Sequence, residues 1–281
     1  MGISVVVLTF NAEASLAATL EAARRVSDDI HVVDSYSTDA TLEIAARYEV
    51  NIVQHPFDNY GVQRNWAIDT LPFKYSWQLH LDADERLSEG LVEELNAIDN
   101  AFPEGVEGFF IARLVHFMNK PIRHGGMFPI WHLRLFRGDA GRCESRLYDQ
   151  HFFVQGPTRR LKYPMIDDHQ NSLTEWVARH NRWTDAVVDE LLGKQMKSEI
   201  RGRFGGNPVE RKRALRRAYY RLPMFVRPFL LFFYRYVIRL GFLDGKEGLI
   251  FFVLQTLWFR FLVDAKLFQR QLQRASQGDA G

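Results

Sequence analysis

The chain has 281 residues, 47% of them hydrophobic and 14% aromatic, with a formal net charge of +2. This composition excludes a disordered chain and supplies enough apolar surface for one large core, or for a core with an appendage. The single cysteine, Cys143, excludes an intramolecular disulfide and fits a reducing compartment, and the scattered histidines exclude structural zinc spacing.

Ile3 to Leu8 is a short continuous apolar run rich in valine, as a buried parallel strand requires. The N-terminus lacks a basic n-region and a small-residue cleavage site, so it reads as this first strand and not as a signal peptide, which predicts a cytoplasmic protein. A polar loop, Thr9 to Glu13, follows, and Ser15 to Val26 has helical spacing at Leu16, Leu20 and Ala23. Ile30 to Val33 is the next strand, ending in the polar stretch Asp34 to Asp39. Thr41 to Tyr48 is the next helix, and Val50 to Gln54 is a third strand. Trp77, Leu79 and Leu81 then alternate along a strand that runs out into Asp82 and Asp84. Strand, loop and helix repeated in this way predict an open parallel sheet, whose ligand sits beyond the carboxyl ends of its strands.

Three polar clusters, Thr9 to Glu13, Asp34 to Asp39 and Asp82 to Glu85, fall at such strand exits and would converge on one crevice. Each has a structural alternative: the second as an Asx-rich turn capping its helix, Asn11 as a cap for the helix at Ser15, and the acidic pair as a solvated turn. Neither G-x-G-x-x-G nor G-x-x-x-x-G-K-[ST] is present. A nucleotide bound here would need its phosphates held by something other than a glycine turn. A divalent cation on Asp84 would serve, because magnesium is typically held by one or two carboxylates plus substrate phosphates.

Val5–Glu13, Val33–Thr41, Gln63–Ala67 and Leu81–Glu85, in this order and spacing, resemble the family-two glycosyltransferases of bacterial surface-polysaccharide synthesis, most of all the lipopolysaccharide-core and capsule branch. The resemblance runs to about residue 185. It implies a GT-A fold, α/β and Rossmann-like, with a mostly parallel sheet and flanking helices. It also implies a nucleotide-sugar donor, with UDP the favoured base, a Mn2+ or Mg2+ cofactor and transfer with inversion. Residue by residue, it implies that Thr9, Asn11 and Glu13 line the nucleoside pocket and Asp34 contacts the base. Asp82 would lie near the ribose or sugar, Asp84 would bind the cation, and Gln63 and Arg64 would lie near the donor. The first loop reads Asn-Ala-Glu where the family more often has Asn-Glu-Glu.

An inverting transfer needs a base for the acceptor hydroxyl on the side opposite the leaving group. The segment His124–Phe136 resembles the family's acceptor side, where Arg134 would approach the phosphates or the acceptor. Asp149 is chosen as the base, with Glu144 as the alternative, although relatives usually show Val-His-Glu where this chain has Tyr148-Asp149-Gln150. His151 or His169 would complete a metal shell, or would be a hydrogen-bonded structural histidine; His169 is carried as the metal ligand beside Asp84. Leu173, Trp176, Val177 and His180 form a helical stripe best explained by core packing.

Charge changes sharply along the chain. Residues 1–193 carry 18 Lys/Arg against 28 Asp/Glu, residues 194–239 carry 13 against 2, and residues 240–281 carry 5 against 4. A GT-A domain over 1–193 and a basic, aromatic, amphipathic helical region over 194–281 follow from that break. The apolar segments Phe229–Ile238 and Leu249–Val263 are each shorter than the ~20 residues that span a bilayer and are interrupted by arginines, so no transmembrane helix is expected. Two uses compete: attachment to the cytoplasmic face of an anionic inner membrane, which is favoured, and packing on the catalytic domain or a second subunit as a homodimer. Nucleic acid is disfavoured, because the aromatics come in blocks and are not interleaved with charge.

The expected activity is hexosyl transfer to a lipid-linked, glycolipid or lipopolysaccharide acceptor. The alternatives are nucleotidyl or phosphoryl transfer on a similar sheet, and a non-catalytic nucleotide-binding scaffold of polysaccharide assembly.

Overall fold

The computed structural model describes residues 2–146, 149–168, 172–193 and 200–278. Its contacts divide the chain into two units. The first comprises residues 1–121, 127–144 and 150–170, and the second residues 122–126, 145–149 and 171–281.

The first unit begins β1 (Ile3–Thr9), α1 (Leu16–Ala23), β2 (Asp29–Asp34), α2 (Thr41–Ala46), β3 (Asn51–Gln54), α3 (Tyr60–Thr70) and β4 (Trp77–Asp82). It continues with β5 (Glu85–Leu87), α4 (Glu89–Asp99), β6 (Gly108–Phe117), β7 (Lys120–Pro121) and β8 (Ile130–Arg137). The short strands β9 (Arg142–Cys143), β10 (Phe152–Phe153), β11 (Thr158–Arg160) and β12 (Met165–Asp168) complete it. The main sheet runs β3-β2-β1-β4-β8-β6-β12-β5, with β7 and β11 paired to β6. Its first four strands are parallel, as the repeated strand-loop-helix pattern predicts. Beyond β4 it is mixed: β8 lies antiparallel to both β4 and β6, while β12 is parallel to β6 and antiparallel to β5.

The continuous apolar run in β1 is explained by burial on both faces. Val5 and Val7 pack into a core with Leu16 and Leu20 of α1 and Leu91 and Leu95 of α4. Val6, one residue out of phase, packs with Val33 and with Ala67 and Leu71 at α3. Helix α3 starts where the Asn59 side chain accepts the Val62 amide, and α4 where Ser88 accepts that of Leu91.

The second unit contains α5 (Leu173–Leu191), α6 (Pro208–Tyr220) and α7 (Arg227–Phe233), the last continued by a π-helical stretch, Tyr234–Ile238. After a tight turn, Gly241–Asp244, come α8 (Gly245–Phe252), a second π-helical stretch, Val253–Trp258, and α9 (Phe259–Gly278). Capping boxes at Ser172/Glu175 and Asn207/Glu210 open α5 and α6. Helix α5, which the sequence reading assigns to the first domain, packs on α9 in this unit. Val187 and Val188 meet Phe259, Val263 and Leu267, and Lys266–Asp185 and Arg270–Asp189 pair beside them, each at 2.8 Å.

The expectation of two short apolar segments is corrected for the second. Gly241–Ser276 is one helical run of 36 residues, long and apolar enough by length and composition to cross a membrane, and 39% of its most apolar stretch is buried.

At the turn before α8, buried Asp244 accepts the main-chain amides of Arg123 and His124 at 3.2 and 2.9 Å and meets His124 Nδ1 at 2.6 Å. Gly125, at φ +64°, lies against the Phe252 ring, where a Cβ would fall 2.1 Å from the ring edge. Farther along, Arg227 and Asp264, both almost fully buried, form a bidentate ion pair. Asp264→Ala leaves the guanidinium buried without its partner and should cost about 3–5 kcal/mol, whereas an apolar pair such as Arg227→Met with Asp264→Leu should recover most of that loss. Denaturant unfolding of the three proteins checks this, and a near-neutral Asp264→Ala would contradict it.

Candidate active site

The register of the parallel strands sets the site. Thr9 of β1 stands opposite Asp34 of β2, Leu8 stands opposite Asp82 of β4, and Asp34 stands opposite Gln54 of β3. Thr9, Asp34 and Asp82 are therefore neighbours at the carboxyl edge of one sheet, as the strand exits predict.

Asp34 is fully buried. It accepts the Thr9 hydroxyl at 3.0 Å, the Ser37 amide at 2.9 Å, the Ser37 hydroxyl, and the Gln54 side-chain amide at 3.1 Å. Burial opposes its charged form, but these donors outweigh it and hold its pKa below the ordinary carboxylate value. The two loops flanking it are tied together. Asn11, at φ +47°, receives the Thr38 amide on its side-chain oxygen at 2.8 Å, and its own amide reaches Ser37 Oγ at 2.9 Å. Glu13 accepts the Ala40 amide at 3.0 Å, and Asp39 accepts the amides of Glu13 and Thr41 at 3.1 and 3.0 Å. The side chains of Asn11 and Glu13 thus join the first loop to the second, and Asp39 makes the Asx-type contact at α2 that the turn reading anticipated.

Asp82 is gripped by two arginines. Arg64 from α3 donates to one carboxylate oxygen at 2.7 Å, and Arg134 from β8 donates to the other at 2.8 Å. Arg134 also donates to Glu85 at 2.6 Å, and Glu85 accepts the Asp82 main-chain amide at 3.0 Å. About 30% of the Asp82 side chain is exposed, against 2% for Glu85 and 4% for Arg134. Burial would raise the Asp82 pKa, but Arg134 and Arg64 outweigh it and hold the group well below the usual carboxylate range. For Glu85 burial prevails: with the charges of Asp82 and Asp167 added, it pushes the pKa up to about 7 against the pull of Arg134. Beneath the arginines, buried His80 stacks on Phe136 and is held neutral by burial and by the charges of Arg64 and Arg134.

Asp84 is half-buried on the turn between β4 and β5. Its carbonyl accepts the Asp168 amide at 3.0 Å, and the preceding carbonyl, of Ala83, accepts the Thr19 hydroxyl at 2.8 Å, so the turn is anchored on both sides. Gln63 is turned toward β2 and β3, with its side-chain oxygen 2.7 Å from His55 Nδ1 and its nitrogen 3.4 Å from Ser35 Oγ.

The two candidate bases have different surroundings. Glu144, fully buried beside β9, accepts the His151 amide at 3.1 Å. Asp149 belongs to the second unit, at φ +57°, where Lys212 lies at 2.7 Å and Arg213 at 3.5 Å. His151 is buried 5.3 Å, ring to ring, from His132. His169 lies outside the described residues, and among the described residues no group of three His, Cys, Asp or Glu is placed to hold a metal on its own.

Sequence reasoning gave no individual site role to Glu85, Gln54 or the Arg113–Asp167 pair at 3.3 Å, and read Ser37 only as part of a turn. Glu85 stands inside the Leu81–Glu85 motif and Asp167 two residues before His169, so a signal was present for both. Gln54 emerges only from strand register, and the bonds of Ser37 to Asp34 and Asn11 only from loop contact.

Residues 4–151, just over half the chain, match the family model of glycosyl transferase family 2, and the chain belongs to that family. Its mixed sheet with flanking helices is the GT-A-like architecture that the resemblance implied. The chain is 33% identical over 96 residues to an uncharacterized glycosyltransferase, RT0209, of Rickettsia typhi, a match covering 34% of this chain and 32% of that one. The chain thus spans about a third of the length of that relative. It is 25% identical over 290 residues, covering 97% of this chain and 94% of the other, to the lipopolysaccharide core biosynthesis glycosyltransferase LpsC of Rhizobium meliloti. Among solved structures it is similar to S. aureus TarS 1-349, with a TM-score of 0.43 and 13% identity over 96% of this chain and 92% of that one.

Glu85 provides a pH test of the arginine cluster. In the unfolded chain it ionises near 4.5, and in the folded chain near 7. Between these values the unfolded state releases a proton that the folded state keeps, so Glu85 makes the protein lose stability as pH rises through the window. His80 acts in the opposite sense: its contribution is present above its unfolded value of 6.5 and is lost as pH falls. Asp82 stays ionised throughout. Glu85→Gln removes only the first slope, so the melting temperature of wild type relative to the variant should fall from about pH 4.5 to 7, and a flat difference would overturn the assignment.

Proposed function

We propose that this family-two glycosyltransferase is an inverting hexosyltransferase. It moves a sugar from a nucleoside-diphosphate donor, UDP-sugar being the favoured one, to a hydroxyl of a lipid-linked or lipopolysaccharide acceptor at the cytoplasmic face of the inner membrane. The observation that carries the reading is the row of Thr9, Asp34 and Asp82 along the carboxyl edge of the parallel strands, with Asp84 on the next turn, in a chain of this family. Similarity along nearly the whole chain to a protein named for lipopolysaccharide core biosynthesis supports the acceptor class.

In this reading the loops carrying Thr9, Asn11, Glu13 and Asp34 form the wall against the nucleoside, and Gln63 and Arg64 lie on the donor side. The Arg64–Asp82–Arg134 cluster presents the partly exposed carboxylate of Asp82 to the ribose or sugar while keeping both guanidiniums ordered. The donor set fits a hard cation: the backbone-anchored Asp84 offers oxygen ligands, and such ions complete their shell with substrate phosphates and water, so a three-residue protein cage is not required. Asp84 would hold Mn2+ or Mg2+ with His169 as further ligand, and the bound ion would supply neutralisation of the departing diphosphate.

The proton of the acceptor hydroxyl goes to Asp149, with Glu144 as the alternative. Exposure supports this order, since 20% of the Asp149 side chain is open to solvent, whereas Glu144 is sealed. Lys212 and Arg213 hold the Asp149 carboxylate in place before the proton arrives.

Calorimetric titration with a panel of nucleoside diphosphates, with and without Mn2+, tests the reading. UDP should bind in a metal-dependent way, and Asp84→Asn should weaken that binding by at least about tenfold. Asp34→Ala should weaken nucleotide binding with or without the metal. Failure of every nucleoside diphosphate to bind would overturn the proposal, and binding with nucleotide turnover but no sugar transfer would favour nucleotidyl or phosphoryl transfer.

A further inference from the structure

The helical hairpin made by α7 with its π-helical extension and by α8 with its own carries an apolar surface that the second unit leaves uncovered. On the first arm Val226, Phe229, Phe233 and Ile238 are 40% or more exposed, at spacings that keep them on neighbouring positions of one helical face. The turn adds Leu240 and Leu243, 47% and 56% exposed. The first turn of α9, which continues the second arm, meets this face where the Phe261 ring, 41% exposed, lies 6.3 Å from that of Phe229. Soluble surfaces rarely leave a contiguous patch of this kind open to water.

The charge around the patch selects its partner. Residues 194–239 carry 13 Lys/Arg against 2 Asp/Glu; Arg239 and Lys246 within the hairpin, and Arg221 at the end of α6 just before it, are exposed. Two copies of the chain meeting through this face would bring two strongly basic regions together, which is costly. A surface with an apolar interior and anionic headgroups satisfies both features at once.

Charge also sets the orientation. The turn end carries Arg239, Lys246 and, on the loop segment held by Asp244, the exposed Arg123; Arg221 stands just before the opposite end. A hairpin standing upright would drive one of these charged ends into hydrocarbon. The long helix Gly241–Ser276 does not read as a spanning segment either, because its second half carries Asp264, Lys266 and Arg270 in ion pairs with neighbouring helices. We infer that this hairpin lies flat in the interface of an anionic phospholipid leaflet, with its apolar face sunk among the acyl chains and both charged ends at headgroup level. The inference rests on the membrane reading above and is independent of the transfer reaction.

The test uses the full chain with vesicles of phosphatidylglycerol and phosphatidylethanolamine, compared with phosphatidylcholine vesicles. Co-sedimentation should be at least about tenfold stronger with the anionic vesicles at low salt and should weaken as salt is added. Nitroxides attached to Leu230→Cys, Ile238→Cys and Leu249→Cys should report one common shallow depth. The triple variant Phe229→Ser, Phe233→Ser, Ile238→Ser changes only exposed positions; it should lose vesicle binding while keeping its helical circular dichroism and its UDP affinity. A depth gradient from one label to the next, as for an upright or spanning helix, would overturn the inference. So would failure to bind anionic vesicles, or a concentration-dependent dimer that buries the labels. Retention of UDP binding by the triple variant separates failure of this inference from failure of the transferase reading.

Discussion

The ion cluster on Asp82 is the constraint on which the site depends. Its members come from four elements in three separate stretches of sequence: Arg64 from α3, Asp82 and Glu85 from the end of β4 and the start of β5, and Arg134 from β8. A buried guanidinium is tolerated only where carboxylates compensate it, so each of these elements is held in register by the electrostatic need of the others. The antiparallel strand β8, which interrupts the parallel order after β4, is what delivers Arg134 to this point. The change from parallel to mixed pairing is therefore tied to the chemistry at the strand exit.

Local signals made the first half of this architecture legible. The valine run of β1, the alternation in β4 and the polar clusters at the strand exits are short-range features, and parallel packing converts them directly into a row of side chains at one edge. Asp34, Asp82 and Asp84 were visible for that reason. Long-range pairing was not: nothing near Asp82 in sequence indicates that Arg64 and Arg134 occupy both its oxygens, or that Glu85 would be more deeply buried than the acids before it. Asn11 and Glu13 show the same limit. Their place at a strand exit is local information, whereas the bonds of their side chains to Thr38 and Ala40 depend on how two loops meet.

The second unit shows a different failure of local reading. The apolar segment beginning at Leu249 looked too short to matter as a span, because charged residues break it in sequence. In three dimensions the helix continues past the segment's end, where Asp264 and Lys266 pair with Arg227 and Asp185 of other helices. Helix α5 shows the same limit: its amphipathic stripe announces that it packs, and only the contacts of Val187 and Val188 with Phe259, Val263 and Leu267 say against what.

The bonds joining the first two loops have a consequence for altering donor preference. Asn11 with Ser37 and Thr38, and Glu13 with Asp39 and Ala40, make the loops after β1 and β2 one mechanical piece. A substitution in either loop removes a tie to the other, so the two loops are coupled and single changes are not independent of their partners across the join. Loop exchange between relatives should therefore move residues 10–13 and 35–41 together, as a single cassette.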